Sequence, residues 1–115
     1  MELVSRRVGE VLVVALAEAG AVEANNVSDF RQAIDPLLNE EKGVVINLGK
    51  IDFLDSSGVG AMVAIWRKIS MSGGEMKLCE IGPTVRTVFE ITRMHRIIEM
   101  FDTEEEAIAS FGCAK

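Results

Sequence analysis

The residues of this chain best suited to chemistry stand together in one stretch, Leu54-Asp55-Ser56-Ser57-Gly58-Val59-Gly60. It lies between a segment typical of a strand and a run with helical spacing, and small polar residues interrupt such a junction only here. Ligands and partners of an open α/β sheet approach where strands end and helices begin. We therefore expect Ser56 to be displayed at such an edge, where Gly58 and Gly60 let another protein come close to its hydroxyl.

A structural explanation fits the same residues. Serine is a preferred N-cap, because its side-chain oxygen accepts a hydrogen bond from a backbone N–H of the first helical turn. Ser56 or Ser57 could fill that position while the glycines let the helix pack on the sheet. The two explanations are compatible, since one serine can cap the helix while the other is exposed.

Enzymatic explanations fit the stretch poorly. A phosphate-binding loop requires a third glycine or a Gly-Lys pair, whereas Gly58-Val59-Gly60 continues to Val63. The nucleophile elbow of a hydrolase requires a glycine two residues before the serine, where this chain has Leu54. We therefore predict that the protein has no catalytic residues and is not an enzyme.

Two other groups of residues are of types that could form a site. His95 would have to act as the base for any serine nucleophile, but it stands in the basic run Arg93-Met94-His95-Arg96 beside an expected helix end. Asp52 and Asp55 could bind Mg²⁺, although two acids in one loop more often cap turns. We expect His95 at the surface, and neither a metal nor a cofactor.

The composition describes an acidic, globular chain. Of its 115 residues, 49% are hydrophobic and 26% charged, so we expect a single domain over residues 1–115 with a core of its own. The formal charge of -6 disfavours direct contact with nucleic acid, which needs clustered Lys and Arg. The sequence shows no membrane span and no signal pattern, which predicts a cytoplasmic protein with Cys79 and Cys113 reduced.

The residues before the polar stretch predict a hairpin, a helix and a buried strand. Residues 2–8 and 10–16 are extended segments that meet at a glycine, as in a β-hairpin. Residues 22–38 show helical spacing, with Asn and Ser available as caps and Pro36 expected to bend or end the helix. The β-branched run at 44–48 is typical of a central strand covered on both faces.

After the polar stretch, helices and strands alternate. Apolar residues from 59 to 69 recur every three or four positions until Gly73-Gly74 ends the helix. Residues 75–81 indicate a strand, Pro83 opens a third helix, and residues 97–101 add a strand before the capping box of a fourth helix at Thr103. This order predicts an α/β fold with a mixed, mostly parallel sheet, an N-terminal hairpin and about four helices.

These residues resemble the STAS domain, and more closely its stand-alone anti-sigma factor antagonists of bacteria. The resemblance rests on the stretch from Asp55 to Gly60, preceded by an aliphatic strand with Asn47-Leu48 and followed by an amphipathic helix that ends in Gly-Gly. It covers nearly the whole chain, including Gly82-Pro83 before the third helix. It implies a STAS fold.

The resemblance also implies a mechanism. In that family the serine after the aspartate, Ser56 here, is phosphorylated by a partner that is both a serine kinase and an anti-sigma factor. The unphosphorylated protein would bind this kinase and free a sigma factor, phosphorylation would break the complex, and a PP2C-type phosphatase would reset it. The implied partner-binding residues are Asp55, Ser56, Ser57 and Gly58. Glu18 and Glu23, at the two ends of the loop from residue 18 to residue 23, belong to the same implied surface.

One departure from the family leaves the partner's identity open. Many members carry Gly-x-x-Asp after the second strand, whereas the comparable stretch here is Glu18-Ala19-Gly20-Ala21, and Glu23 could replace the acid. The alternative hypothesis keeps the fold but makes the chain a STAS scaffold subunit of a regulatory, stress-sensing or transport-associated complex. A monomeric mass would favour the antagonist, and a large particle the scaffold.

Overall fold

The computed structural model describes residues 1–111, so Cys113 lies outside the described residues. In chain order the elements are β1 (Leu3–Val8), β2 (Val11–Leu16), β3 (Gly20–Val22), α1 (Val27–Ile34), β4 (Gly43–Asn47), β5 (Ile51–Leu54), α2 (Ser56–Met71), β6 (Glu75–Cys79), α3 (Pro83–Thr92), β7 (Glu99–Phe101) and α4 (Glu104–Ala109). Short 3-10 turns, Asp35–Leu38 and Met94–Arg96, follow α1 and α3. The predicted α/β class with an N-terminal hairpin and four helices is confirmed.

Five strands form the main sheet in the order β1-β2-β4-β6-β7. The β1–β2 hairpin is antiparallel and turns at Gly9 with a φ of 61°, whereas the other neighbours are parallel. Strand β4 lies in the middle, and the side chains of Val44 and Val45 are both fully buried. The β-branched run therefore belongs to a strand covered on both faces, as predicted.

The helices cover the two faces of this sheet unequally. Successive residues of a strand point to opposite faces, and Val44 and Ile46 belong to the large core formed with α1, α2 and α3. Val45 faces the other way and packs in a smaller cluster with Ala107 of α4. Thr103 caps α4 as predicted, accepting a hydrogen bond from the Glu106 N–H at 3.1 Å.

A second, two-stranded sheet was not predicted from the sequence. Strands β3 and β5 pair in parallel, so their carboxyl ends lie side by side. The prediction of a helix from residue 22 is wrong at its start, because Val22 ends β3 and α1 begins at Val27. Asn26 holds the intervening turn, accepting from the Glu23 N–H at 2.9 Å and donating to the Ala21 carbonyl at 2.8 Å.

The predicted effect of Pro36 is confirmed. The α-helix ends at Ile34, and Pro36 lies in the 3-10 turn that follows.

Within residues 1–111, no helix is both long enough and apolar enough to span a bilayer.

Candidate functional site

The site is organised by Asp55, which links the end of β5 to the start of α2. Its Oδ1 accepts a hydrogen bond from the Gly58 N–H at 3.0 Å, and this makes Asp55 the N-cap of α2. Its Oδ2 accepts from the Ala24 N–H, 2.9 Å away in the loop after β3. The structural explanation in which Ser56 or Ser57 caps this helix is therefore wrong, because the preceding aspartate occupies the cap position.

These contacts favour the ionised form of Asp55. The hydrogen bonds from the Gly58 and Ala24 N–H groups lower the pKa of the carboxyl group from its usual value. A negative charge therefore stands beside Ser56 at neutral pH. In the part of the chain that the structure describes, no group of three His, Cys or acidic side chains is arranged to hold a metal ion.

Ser56 is the first residue of α2 and is exposed, as expected from the sequence. Ser57, the next residue, is partly buried. Because Asp55 supplies the cap, the fold does not depend on the Ser56 hydroxyl to satisfy the first turn. The hydroxyl therefore lies at a strand-to-helix junction where another protein can reach it.

The two glycines of the stretch have different surroundings. Gly58 is buried, and a Cβ atom there would lie 2.3 Å from the Val22 carbonyl oxygen and 2.9 Å from Leu54 Cδ2. The backbone that comes close to Gly58 is therefore that of β3 in the same chain. Gly60 is exposed, and a Cβ atom there would meet nothing within 4 Å. The absence of a side chain at Gly58 lets β3 pack against α2. Its contact with a partner stays a prediction.

The two predicted acids lie at opposite ends of β3. Glu23 follows β3 directly, and the N–H of the next residue, Ala24, bonds to Asp55, so Glu23 lies beside the site. Glu18 precedes β3 and lines a surface groove with Glu2 and Asp29. The two acids are five residues apart, which corresponds to at most about 17 Å of extended chain at about 3.3 Å per residue. The structure ties the residue after Glu23 to Asp55, whereas Glu18 borders the groove before β3.

His95 lies away from this junction. It is exposed on the 3-10 turn after α3 and borders a groove shared with Arg86, Phe89, Glu90 and Met100, none of which belongs to the Ser56 stretch. This placement offers Ser56 no histidine base.

Two features of the residues around the site were missed by sequence reasoning. Ala24 acts through its backbone N–H, which leaves no side-chain signal. Phe53 is 40% exposed although it is aromatic. Strand alternation does not predict its exposure, because Ile51, two residues earlier in β5, is buried. The register of the β3–β5 pair shifts between the partners of these two residues, and a three-residue strand gives no sequence signal for that shift.

Comparisons with known proteins agree with the observed fold. The family model of the STAS domain matches residues 3–107. The chain is 29% identical to BtrV of Bordetella bronchiseptica, a candidate anti-sigma factor antagonist, over 99% of this chain and 97% of that protein. A crystal structure of a candidate anti-sigma factor antagonist from Thermotoga maritima has a TM-score of 0.84 at 26% identity, covering 94% of this chain and 92% of the other.

A further solved structure is the phosphorylated form of the Bacillus cell fate determinant SpoIIAA. It has a TM-score of 0.69 at 27% identity and covers 96% of this chain and 99% of that one. Antagonists of this kind are binding proteins and not enzymes, in agreement with the expectation from the sequence. Since the family model matches nearly all of the described chain, this protein belongs to the STAS domain family.

Proposed function

We propose that this protein is an anti-sigma factor antagonist that works by partner switching in the cytoplasm, with Ser56 as the residue that is phosphorylated. The unphosphorylated protein binds an anti-sigma factor that is also a serine kinase, and a sigma factor is released. Phosphorylation ends this binding, and a PP2C-type phosphatase restores it. The observation that carries the proposal is the exposed position of Ser56 at the start of α2, beside an aspartate that takes over the capping role.

The similarity to SpoIIAA supports this assignment. SpoIIAA is an anti-sigma factor antagonist whose structure is known in an unphosphorylated and a phosphorylated form. The unphosphorylated form is 26% identical to this chain and covers 98% of it. A protein with this fold thus accepts a phosphate, and Ser56 is the exposed residue of the Asp-Ser-Ser-Gly element that could do so here.

The electrostatics of the site explain how a phosphate would act. A phosphoserine adds about -1.5 to -2 charges at neutral pH, and it would stand next to the ionised Asp55 and near Glu23. A partner docked on this surface would meet repulsion and a desolvation cost. The helix N-terminus favours an anion at the same place, so the fold itself would tolerate the phosphate.

Glu23 is our candidate for the acid of the family's Gly-x-x-Asp element. It follows Gly20 by three residues, at the end of β3. The Ala24–Asp55 hydrogen bond holds its loop against the start of α2. The proposed contact face therefore consists of Asp55, Ser56, Ser57, Gly58 and Glu23, with Glu18 farther out.

The test is intact mass with site localisation after incubation with ATP and the candidate kinase from the same cell. Ser56→Ala is compared with Ser57→Ala, which removes the neighbouring hydroxyl as a matched control. We expect one phosphate on the wild type and on Ser57→Ala, and none on Ser56→Ala. A phosphate that persists in Ser56→Ala, or none with any plausible kinase, would favour the scaffold hypothesis, which a large particle on size exclusion would then support.

A further inference from the structure

Strand β1 forms one edge of the main sheet, and that edge is open. The sheet order is β1-β2-β4-β6-β7, so β1 pairs with β2 on one side only. The strand has six residues, and the side chains of Val4, Ser5, Arg6 and Arg7 are exposed. An open edge of this length presents a row of backbone N–H and C=O groups that can pair with another strand.

The register of the hairpin shows which backbone groups of β1 are free. In an antiparallel pair, every second residue exchanges both of its hydrogen bonds with the neighbouring strand. The Ala17 N–H donates to the Glu2 carbonyl at 3.0 Å, so the even-numbered residues of β1 bond to β2. The N–H and C=O groups of Leu3, Ser5 and Arg7 therefore point away from β2. Within residues 1–111, no other strand pairs with them.

The two arginines of β1 do not shield this edge. Charged side chains on an edge strand commonly prevent such pairing. Here Arg6 forms an ion pair with Glu104 of α4. Arg7 donates to Glu41 Oε2 at 2.6 Å. Glu41 shortly precedes β4, and Glu104 accepts a hydrogen bond from Asn47 of β4, so both acids lie across β2 from the free edge. Each guanidinium group is thus drawn inward over the sheet, and the free backbone groups remain accessible.

The sequence of β1 matches a second copy of itself in antiparallel orientation. The free groups meet when Ser5 stands opposite Ser5 of the second copy. Leu3 then stands opposite Arg7, and Val4 stands opposite Arg6, so no two like charges are directly opposite. Each arginine stem covers an apolar side chain, including Val4, which is 51% exposed. A register shifted by two residues is worse, because one direction places Arg6 opposite Arg6 and the other pairs only half of the strand.

We propose that β1 pairs with β1 of a second copy, so that two five-stranded sheets become one continuous sheet across a two-fold axis at Ser5. The free groups supply about six hydrogen bonds. Both copies use the same edge, so assembly ends at a dimer and not at a large particle. The contact is confined to one strand, and we expect a dissociation constant that is roughly micromolar or weaker. The dimer is independent of the proposed function, because Ser56 lies in α2, outside this edge.

The experiment measures mass by sedimentation equilibrium at a series of concentrations up to about 1 mM. We expect the wild type to move from the mass of one chain towards that of two as the concentration rises. Ser5→Pro removes an N–H that faces the second copy and not β2, so it should weaken the dimer about tenfold or more and leave the hairpin intact. Ser5→Ala keeps this N–H and is the matched control, expected within about twofold of the wild type.

A pair of charged variants tests the register. Ser5→Lys and Ser5→Glu should each weaken the dimer at least about threefold, because like charges then stand directly opposite each other at the axis. An equimolar mixture of the two should dimerise more tightly than either variant alone, because the opposed side chains then carry opposite charges. Circular dichroism checks that every variant is folded, and the charged pair decides the outcome if Ser5→Pro loses its hairpin.

The proposal is overturned if the wild type keeps the mass of one chain at every concentration. It is also overturned if Ser5→Pro and Ser5→Lys dimerise as tightly as Ser5→Ala, or if mixing the charged variants brings no gain, since Ser5 would then not lie at the axis. Particles of more than two chains would contradict a pairing that closes on itself.

Discussion

The carboxylate of Asp55 holds two segments of the chain together, because one oxygen caps α2 and the other binds the loop after β3. Its pKa is lowered in the folded state, so the folded protein binds fewer protons there than the unfolded chain, whose Asp pKa is about 3.9. The stabilisation is therefore complete above the unfolded pKa and is lost as the pH falls through the folded pKa.

This linkage makes a prediction for Asp55→Asn. We expect the stability difference from the wild type to be largest near neutral pH and to shrink below about pH 5, as protonation removes the advantage of the carboxylate. Urea denaturation at a series of pH values measures it, with Asp52→Asn, an exposed acid of the neighbouring strand β5, as the control. A difference that stays constant down to about pH 2 would contradict a role for the charge.

Gly58 and Gly60 provide a matched pair for a second prediction. A Cβ at position 58 would overlap the Val22 carbonyl, so Gly58→Ala should destabilise the protein by about 1–3 kcal/mol. Position 60 has open space, so Gly60→Ala should stabilise it by about 0.5–1 kcal/mol through helix propensity. Chemical denaturation of both variants checks the signs. Equal effects would mean that the β3–α2 contact does not require glycine.

Among the elements, α4 depends on a buried cation. Lys77 of β6 is 4% exposed, and its Nζ lies 2.9 Å from Ser110 Oγ, 3.2 Å from the Ser110 carbonyl oxygen and 4.4 Å from the centre of the Phe111 ring. The ammonium group thus binds the carbonyl end of α4, where a positive charge is favoured. Cys79, on the same face, is buried in the cluster beneath α4, and burial raises the pKa of its thiol to about 12.

We therefore predict that Lys77→Met loosens α4. The methionine keeps an apolar stem but loses charged hydrogen bonds, which contribute about 1.5–3 kcal/mol each. Both proteins compared carry Cys113→Ser, so that only Cys79 can react. We expect Lys77→Met to raise the rate at which Cys79 reacts with a thiol reagent at pH 8 by roughly tenfold or more. Glu99→Gln is the control, because Glu99 is 66% exposed and its ion pair with Lys77 contributes little. Unchanged Cys79 reactivity in Lys77→Met would contradict the prediction.

The elements also show which parts of the fold could be predicted from the sequence. The hairpin, the central strand and the four helices carry strong periodic patterns and were predicted. Strands β3 and β5 have only three and four residues, too few for a pattern, and their pairing depends on residues about 30 positions apart. The helical spacing predicted from residue 22 includes Val22, whose burial results from the small sheet instead.

For the molecule as a whole, phosphorylation adds negative charge to a chain whose formal charge is already -6, and we expect it to change binding and not structure. We expect the Ser56-phosphorylated protein to show the circular dichroism of the unmodified form, because a helix N-terminus accommodates an anion. Its affinity for the anti-sigma factor should fall by about tenfold or more, as repulsion and desolvation oppose docking. Titration of both forms against the same partner measures this. Equal affinities with the same circular dichroism spectrum would contradict the electrostatic switch.

The candidate site was predictable in its location but not in its internal contacts. The residue types from Asp55 to Gly60 indicated a strand-to-helix junction with an exposed serine, and the structure has both. Aspartate and serine are equally preferred N-cap residues, so residue type alone did not choose between Asp55 and the two serines. The second bond of Asp55, from the Ala24 N–H, joins residues 31 positions apart, and local sequence could not supply it.

The hydrogen bond between the Ala24 backbone N–H and the Asp55 side chain joins residues 31 positions apart. In a nuclear magnetic resonance spectrum, the Ala24 amide proton would therefore act as a built-in reporter. Its resonance depends on the carboxylate that stands beside Ser56, so a charge placed on that serine would shift a signal assigned to a different loop. The state of the junction could thus be followed in a mixture with partner proteins, without attaching any label to the surface that they cover.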